Sequence, residues 1–192
     1  GKQWPKNWYS GFRGLYTLRT SVQQSVNVNA VKVMQQVGVE YAADFAEKLG
    51  VSSIARSGDT NDMNAAALAL GGMSKGISPL EMASAYGTYP NGGTYLEPII
   101  YTRVTNSRGD VILEKSSHST EAVDPGVAFI MTDILKSVVS EGLGSGASIG
   151  TQPVGGKTGT TTDNYDAWFV GFTPQYAAAV WIGNDVNIEL SR

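Results

Sequence analysis

Apolar residues recur at helical intervals in two successive stretches near the start of the chain. In VNVNAVKVMQQVG, which begins just after Ser25, the residues Val28, Val31, Val33, Met34 and Val37 fall near helical spacing, and Gly38 ends the run. VEYAADFAEKLG reads as a second helix closing at Gly50, since glycine tolerates the left-handed turn in which helices commonly end. The first 20 residues, rich in Gly, Trp and Tyr, read as a loop. Residues 51–64 read as a polar connection, and NAAALALGG as a small-residue run expected to be buried.

Ser78-Pro79-Leu80-Glu81 marks a helix start: Ser78 suits the cap, Pro79 the first helical position, and Glu81 completes a capping box. Pro90-Asn91-Gly92-Gly93 breaks that helix. EPIIYTRVTNSRGDVILEK predicts a hairpin turning at Asn106 to Asp110. Asp124-Pro125 opens another helix, with Phe129, Ile130, Ile134, Leu135 and Val138 as its expected buried stripe. Three short β-runs close the chain: PVGGKTGTT, AWFVGFTP and YAAAVWIGND. Their connections are too short for crossovers, so they predict adjacent antiparallel strands. The last two are almost continuously apolar, which predicts cover on both faces. Helices ahead of a compact sheet indicate an α/β, layered α+β, fold.

Composition narrows the chemistry. With 192 residues the chain fits one domain or a large piece of one, and 42% hydrophobic with 16% charged residues suits a folded protein. The net charge is −3 and no block of Lys and Arg appears, which argues against a nucleic-acid partner. Without cysteine there is no disulfide, no Cys-ligated zinc and no thiol catalysis. One histidine and no cysteine also argue against a transition-metal site. No window approaches the roughly 20 apolar residues that span a bilayer. The sequence opens GKQWPKNWYSGFRG without an initiator Met, so it reads as a piece of a longer chain, with any anchor upstream.

The segment richest in chemistry is Gly155-Gly156-Lys157-Thr158-Gly159-Thr160-Thr161. Glycine within a strand marks close approach by a ligand or another backbone. A lysine and two hydroxyls beside such a bare strand suit an extended anionic peptide. A phosphate loop is the rival reading, but it needs glycine at the position held by Thr151 and a helix after the lysine, where strand-like residues follow. Ser25-Val26-Asn27 is a second candidate; taken alone it reads first as ordinary helix capping. His118 lies in the polar run KSSHST and reads as a solvated loop residue, and Asp163 and Asp166 as turn formers.

Taken together, these residues resemble the penicillin-binding transpeptidases, specifically the class A, bifunctional members. That family carries Ser-x-x-Lys, Ser-x-Asn and Lys-Thr-Gly in order. Ser25-Val26-Asn27 matches the second and Lys157-Thr158-Gly159 the third. RGLYTLRTSVQQSVNVNAVKVMQQVG, SPLEMASAYGTYPNGGTYLEPIIYTRV and GGKTGTTTDNYDAWFVGFTPQYAAAVWIGND are similar to class A segments in family order, so the resemblance covers nearly the whole chain. The first motif is missing: no serine here has lysine three residues later. The resemblance therefore implies the C-terminal part of a single transpeptidase domain over residues 1–192, incomplete at its N-terminal side. The upstream strands and the nucleophile helix would be absent, leaving an exposed apolar face.

The resemblance further implies a penicillin-binding/serine β-lactamase-like fold, an antiparallel sheet packed between helices. It implies D,D-transpeptidation of peptidoglycan stem peptides at the extracytoplasmic face of a membrane-anchored parent, through a serine ester and without a cofactor, with β-lactams as inhibitors. Ser25, Asn27 and Lys157 would be catalytic, and Thr158, Gly159 and Thr160 would receive the substrate. A non-catalytic scaffold module and a serine β-lactamase are the alternatives. No acidic deacylating loop supports the latter.

Overall fold

The computed structural model describes residues 5–11, 13–186 and 188–190. The Thr17 hydroxyl accepts from the Thr20 amide and starts α1 (Leu18–Gln23), so the N-terminal loop ends earlier than its Gly/Trp/Tyr content suggests. A tight turn leads to α2 (Asn27–Val37), and Gly38, at φ 89°, redirects the chain into α3 (Val39–Lys48). At the end of α3, Gly50 is left-handed, and a Cβ there would collide with the Tyr95 ring. Any other residue would break both the turn and the packing.

The polar connection after α3 is held by charge. Arg56 reaches back to Glu40, Asp44 and Glu47, which share one face of α3. The buried Asp62 carboxylate accepts from the Ser74 hydroxyl at 2.7 Å, the Ala55 amide at 2.9 Å and the Ser74 amide at 2.8 Å. These bonds hold its pKa below the usual carboxylate range. The small-residue run forms α4 (Ala65–Leu70), capped by Asn64, but only Ala67 of it is buried.

α5 (Pro79–Gly87) begins with the expected capping box. β1 (Thr94–Leu96) pairs with β4 (Ser119–Glu121), and between them β2 (Arg103–Thr105) and β3 (Val111–Glu114) form the expected hairpin. Leu49, Ala85 and Ala122 form a small core where α3, α5 and this region meet, packed by Phe45, Tyr95 and Val123.

α6 (Pro125–Ser140) is capped by Asp124. It buries Ala128, Leu135, Val138 and Val139, whereas Phe129 and Ile130 of the expected stripe are exposed. Among the described residues, nothing covers the face of the N-terminal turns of α6 that those two residues occupy.

The main sheet is antiparallel, in the order β5 (Gly155–Thr160), β6 (Ala167–Phe172), β7 (Ala177–Ile182). α6 packs against β5, and α5 against β6 and β7. The architecture is thus the mixed α/β layering that the sequence predicts. Cover on both faces is not found for β7: Val180 and Ile182 are more than half exposed. Continuous apolarity reports what a strand can bury and not what covers it.

Glu81 joins this framework at two points. One oxygen accepts from the Ser52 amide and hydroxyl, the other from the Ser78 amide and hydroxyl. Burial would raise its pKa, but the four hydrogen bonds, Ser52's foremost, prevail and hold it at about 2. Its folded pKa lies below its unfolded value, so its stabilising effect is full above the ordinary range near 4.5 and fades as pH falls toward 2. We expect Ser78→Ala to cost about 1 kcal/mol in urea unfolding at neutral pH. Glu81→Gln should flatten the loss of stability between pH 4.5 and 2.

Candidate active site

Ser25 and Lys157 meet in space although 132 positions separate them. The Lys157 ammonium donates to Ser25 Oγ at 2.9 Å and to the Thr158 carbonyl at 2.9 Å. Burial disfavours its charged form and draws its pKa down from 10.5 to about 8.

Ser25 does not cap a helix. It sits in the turn between α1 and α2 with φ 49°, a left-handed conformation that β-carbon sterics make uncommon outside glycine. Its amide donates to the Val22 carbonyl, and the next amide, of buried Val26, donates to the Ser21 carbonyl. Asn29 donates its side-chain amide to Ser21 Oγ at 2.7 Å, tying α2 to α1. On the far side, the Leu143 amide donates to the Gln23 carbonyl, so the segment after α6 braces the same turn. Asn27, the first residue of α2, donates its side-chain amide to the Lys6 carbonyl at 2.9 Å. Residues 6–8 lie against this motif, a contact that no local pattern in the sequence signals.

Lys157 is presented by a strand that carries no side chain in the two positions before it. A Cβ on Gly155 would lie 2.5 Å from the Phe172 ring, and one on Gly156 would lie 2.6 Å from the Phe169 ring and 2.7 Å from the Val170 carbonyl. The neighbouring strand's aromatics fill the space that side chains on β5 would need. In the β5–β6 register, Lys157 faces Val170, Thr158 faces Phe169 and Thr160 faces Ala167. Side chains alternate along a strand, so Lys157 and Gly159 share one face, and Thr158 and Thr160 the other. Val170 and Phe172, on the Lys157 face, are buried.

The outer edge of β5 has no strand partner among the described residues. The Thr161 amide donates to the Asp166 carbonyl at 3.1 Å, which fixes the alternation of hydrogen-bonded pairs in the ladder. Thr158 and Thr160 consequently turn their backbone amides toward the free edge. An extended ligand would find a row of backbone donors there, next to a half-buried ammonium.

His118 is exposed in the loop before β4. Asp163 is left-handed within the β5–β6 connection, and Asp166 accepts from the Trp181 indole. β5 runs as a strand through Lys157, so no phosphate loop forms. Among the described residues, no cluster of His and acidic side chains forms a metal site, and no helix is long and apolar enough to cross a membrane.

Residues 1–187 match the family described as the penicillin binding protein transpeptidase domain. The chain belongs to that family. It is 42% identical over 183 residues to penicillin-binding protein 1A of Clostridium botulinum (strain Hall), covering 94% of this chain and 21% of the relative. Against penicillin-binding protein 1A/1B of Bacillus subtilis it is 38% identical, covering 95% of this chain and 21% of the relative. The chain thus spans about a fifth of the length of these relatives. The crystal structure of penicillin-binding protein 1A from Haemophilus influenzae superposes with a TM-score of 0.80 at 25% identity, covering 97% of this chain and 33% of that one. PonA1 from Mycobacterium tuberculosis, in complex with penicillin V, gives 0.77 at 26%, covering 90% and 49%. The resemblance to class A transpeptidases therefore holds across the chain.

In this penicillin-binding transpeptidase domain, the glycines before and after Lys157 differ in consequence. Gly156→Ala would drive a methyl into a backbone carbonyl, whereas at Gly159 the nearest atom is the Trp168 Cβ at 3.2 Å. We expect Gly156→Ala to destabilise by about 1–3 kcal/mol through overpacking, and Gly159→Ala by less. Thermal unfolding of the two variants side by side measures the difference.

Proposed function

We propose that this chain supplies the second and third catalytic motifs of a peptidoglycan D,D-transpeptidase. The observation that carries the proposal is the hydrogen bond from Lys157 to Ser25, which joins the Ser-x-Asn and Lys-Thr-Gly motifs at one point.

The nucleophile is a serine of a Ser-x-x-Lys motif upstream of these residues. Its oxygen attacks the penultimate D-Ala carbonyl of a stem peptide, and its proton passes to the lysine of its own motif. The tetrahedral oxyanion takes the free-edge N–H of Thr160 as one of its two donors. Collapse breaks the peptide bond to the terminal D-Ala, whose leaving nitrogen collects a proton relayed by the Ser25 hydroxyl. An amine of a neighbouring stem peptide then attacks the serine ester, closing the cross-link and freeing the serine. A β-lactam enters by the same route and remains as the ester.

Lys157 keeps Ser25 polarised and makes the site positive, while the Thr158 and Thr160 hydroxyls receive the substrate's terminal carboxylate. Gly159 leaves room for the substrate backbone along the strand. Asn27 spends one amide hydrogen on Lys6, which leaves its carbonyl oxygen for the upstream lysine and its second hydrogen for the substrate. The upstream part of the same domain would cover the exposed β7 face. The parent would be anchored in the membrane with this domain on the extracytoplasmic side.

Intact-mass analysis after adding a penicillin tests the reading: one adduct is expected on the complete parent protein and none on these 192 residues. An adduct on this chain alone would mean the nucleophile lies within it. In the parent, Ser25→Ala should slow penicillin acylation by about 10²-fold or more, the scale of general acid–base assistance.

Lys157 is charged below pH 8 or so and neutral above it, so acylation should decline as pH rises through about 8. Lys157→Arg, which stays charged, should move that decline upward. The folded pKa lies below the ordinary value, so charged Lys157 also weakens the fold below about pH 8, and the penalty fades toward pH 10.5.

A further inference from the structure

The turn that carries Ser25 is held from outside by residues far back in the sequence. α2 begins at Asn27 with Val26 at its cap position, and valine has no side-chain acceptor to offer the free amides of the first turn. Asn7 fills that role: its Oδ1 accepts from the Val28 amide at 3.1 Å, across 21 positions. The next residue, Trp8, donates its indole N–H to the Gln24 carbonyl at 2.8 Å, immediately before Ser25. Lys6 takes the Asn27 side-chain amide through its carbonyl. Three consecutive residues thus grip the residues on both sides of a left-handed serine.

The gripping residues also pack on their neighbours. The Trp8 and Tyr9 rings meet edge to face at 5.3 Å, and the Arg13 guanidinium lies 3.9 Å from the centre of the Tyr9 ring. Trp8 is largely exposed, so its indole bond fixes the turn more than it fills a core.

A non-glycine residue in the left-handed region carries a conformational cost of about 1–3 kcal/mol and persists only where its surroundings over-determine it. Lys157 fixes the Ser25 hydroxyl but not the Ser25 backbone. We propose that Asn7 and Trp8 are positioning residues for the transpeptidase reaction, a strap that holds the Ser25 hydroxyl where Lys157 and the leaving nitrogen can both reach it. The proposal rests on the reading of Ser25 as proton relay.

The test is penicillin acylation of the complete parent protein, with noncovalent binding and the acylation step resolved by stopped flow. Asn7→Ala should slow the acylation step about tenfold, the scale of one lost and unreplaced hydrogen bond at a strained site, and leave the noncovalent dissociation constant unchanged. Asn7→Asp keeps an acceptor at the helix start and should stay within about twofold of the parent. Trp8→Phe keeps the ring and removes only the N–H, so it carries the test should Asn7→Ala fail to fold. It too should slow acylation and spare binding.

A double variant separates positioning from general stability. With Ser25 already replaced by alanine, Asn7→Ala should cause no additional loss, because it acts through Ser25. Asn7→Ala and Trp8→Phe acylating at the parent rate, Asn7→Asp as slow as Asn7→Ala, or equal losses in both backgrounds would each overturn the strap. A slow Ser25→Ala beside a normal Asn7→Ala removes the strap alone, whereas a Ser25→Ala at the parent rate removes the relay reading and the strap with it.

Discussion

The candidate site depends on one half-buried cation finding one hydroxyl. Taking an ammonium out of water is costly, and the downward pull on the Lys157 pKa is the sign of that cost. Among the described residues two acceptors offset it, Ser25 Oγ and the Thr158 carbonyl, and the second comes from the lysine's immediate neighbour. The long-range acceptor is therefore what fixes the direction of the side chain. The helix pair α1–α2 and the strand β5 have to arrive at a common point within hydrogen-bonding distance, and α6 stands between them in sequence as the element that touches both. Its packing on β5 and α1 sets the separation that the 2.9 Å bond requires.

Placing a charge there also shapes the strand that bears it. Two glycines precede Lys157, and the rings of Phe172 and Phe169 occupy the volume their side chains would have taken. Glycine in a strand interior is weak on its own account. Here the cross-strand aromatics restore the lost contact area while keeping the edge of β5 low and open. The same strand is thus firm on its β6 side and free on the other. Electrostatic stabilisation of a transition state needs that combination, because donors that must reorganise during the reaction lose much of their effect.

What could be read from the sequence follows from how local its causes are. Lys157-Thr158-Gly159 was legible as a strand motif because the glycines, the β-rich flanks and the short connections sit within a few residues of it. The capping box at Ser78 and the Asn106–Asp110 turn were legible for the same reason. The pairing of Thr94 with Glu121 was not, since a whole hairpin intervenes. Nor was the backbone of Ser25: its residue types fit a cap, and only the distant acceptor of Asn7 makes a cap at Ser25 unnecessary. The family resemblance implied an exposed apolar face but not that Phe129, Ile130 and β7 would be exposed, because hydrophobic pattern records the capacity to be buried, and cover is a property of neighbours.

Ser25 joins these lines. A serine that capped α2 would have its oxygen committed to a backbone amide, and Lys157 would have to compete for it. By taking the helix cap from Asn7, the fold leaves the Ser25 hydroxyl, among the described residues, with the lysine as its partner. The cost is a left-handed backbone at a residue with a β-carbon. Glycine would accept that conformation more readily but has no hydroxyl to offer. Strain at this position is thus a direct consequence of needing a polar side chain in a tight turn between two helices. Bracing by residues 6–8 and by the segment after α6 is the form in which the rest of the chain sustains it.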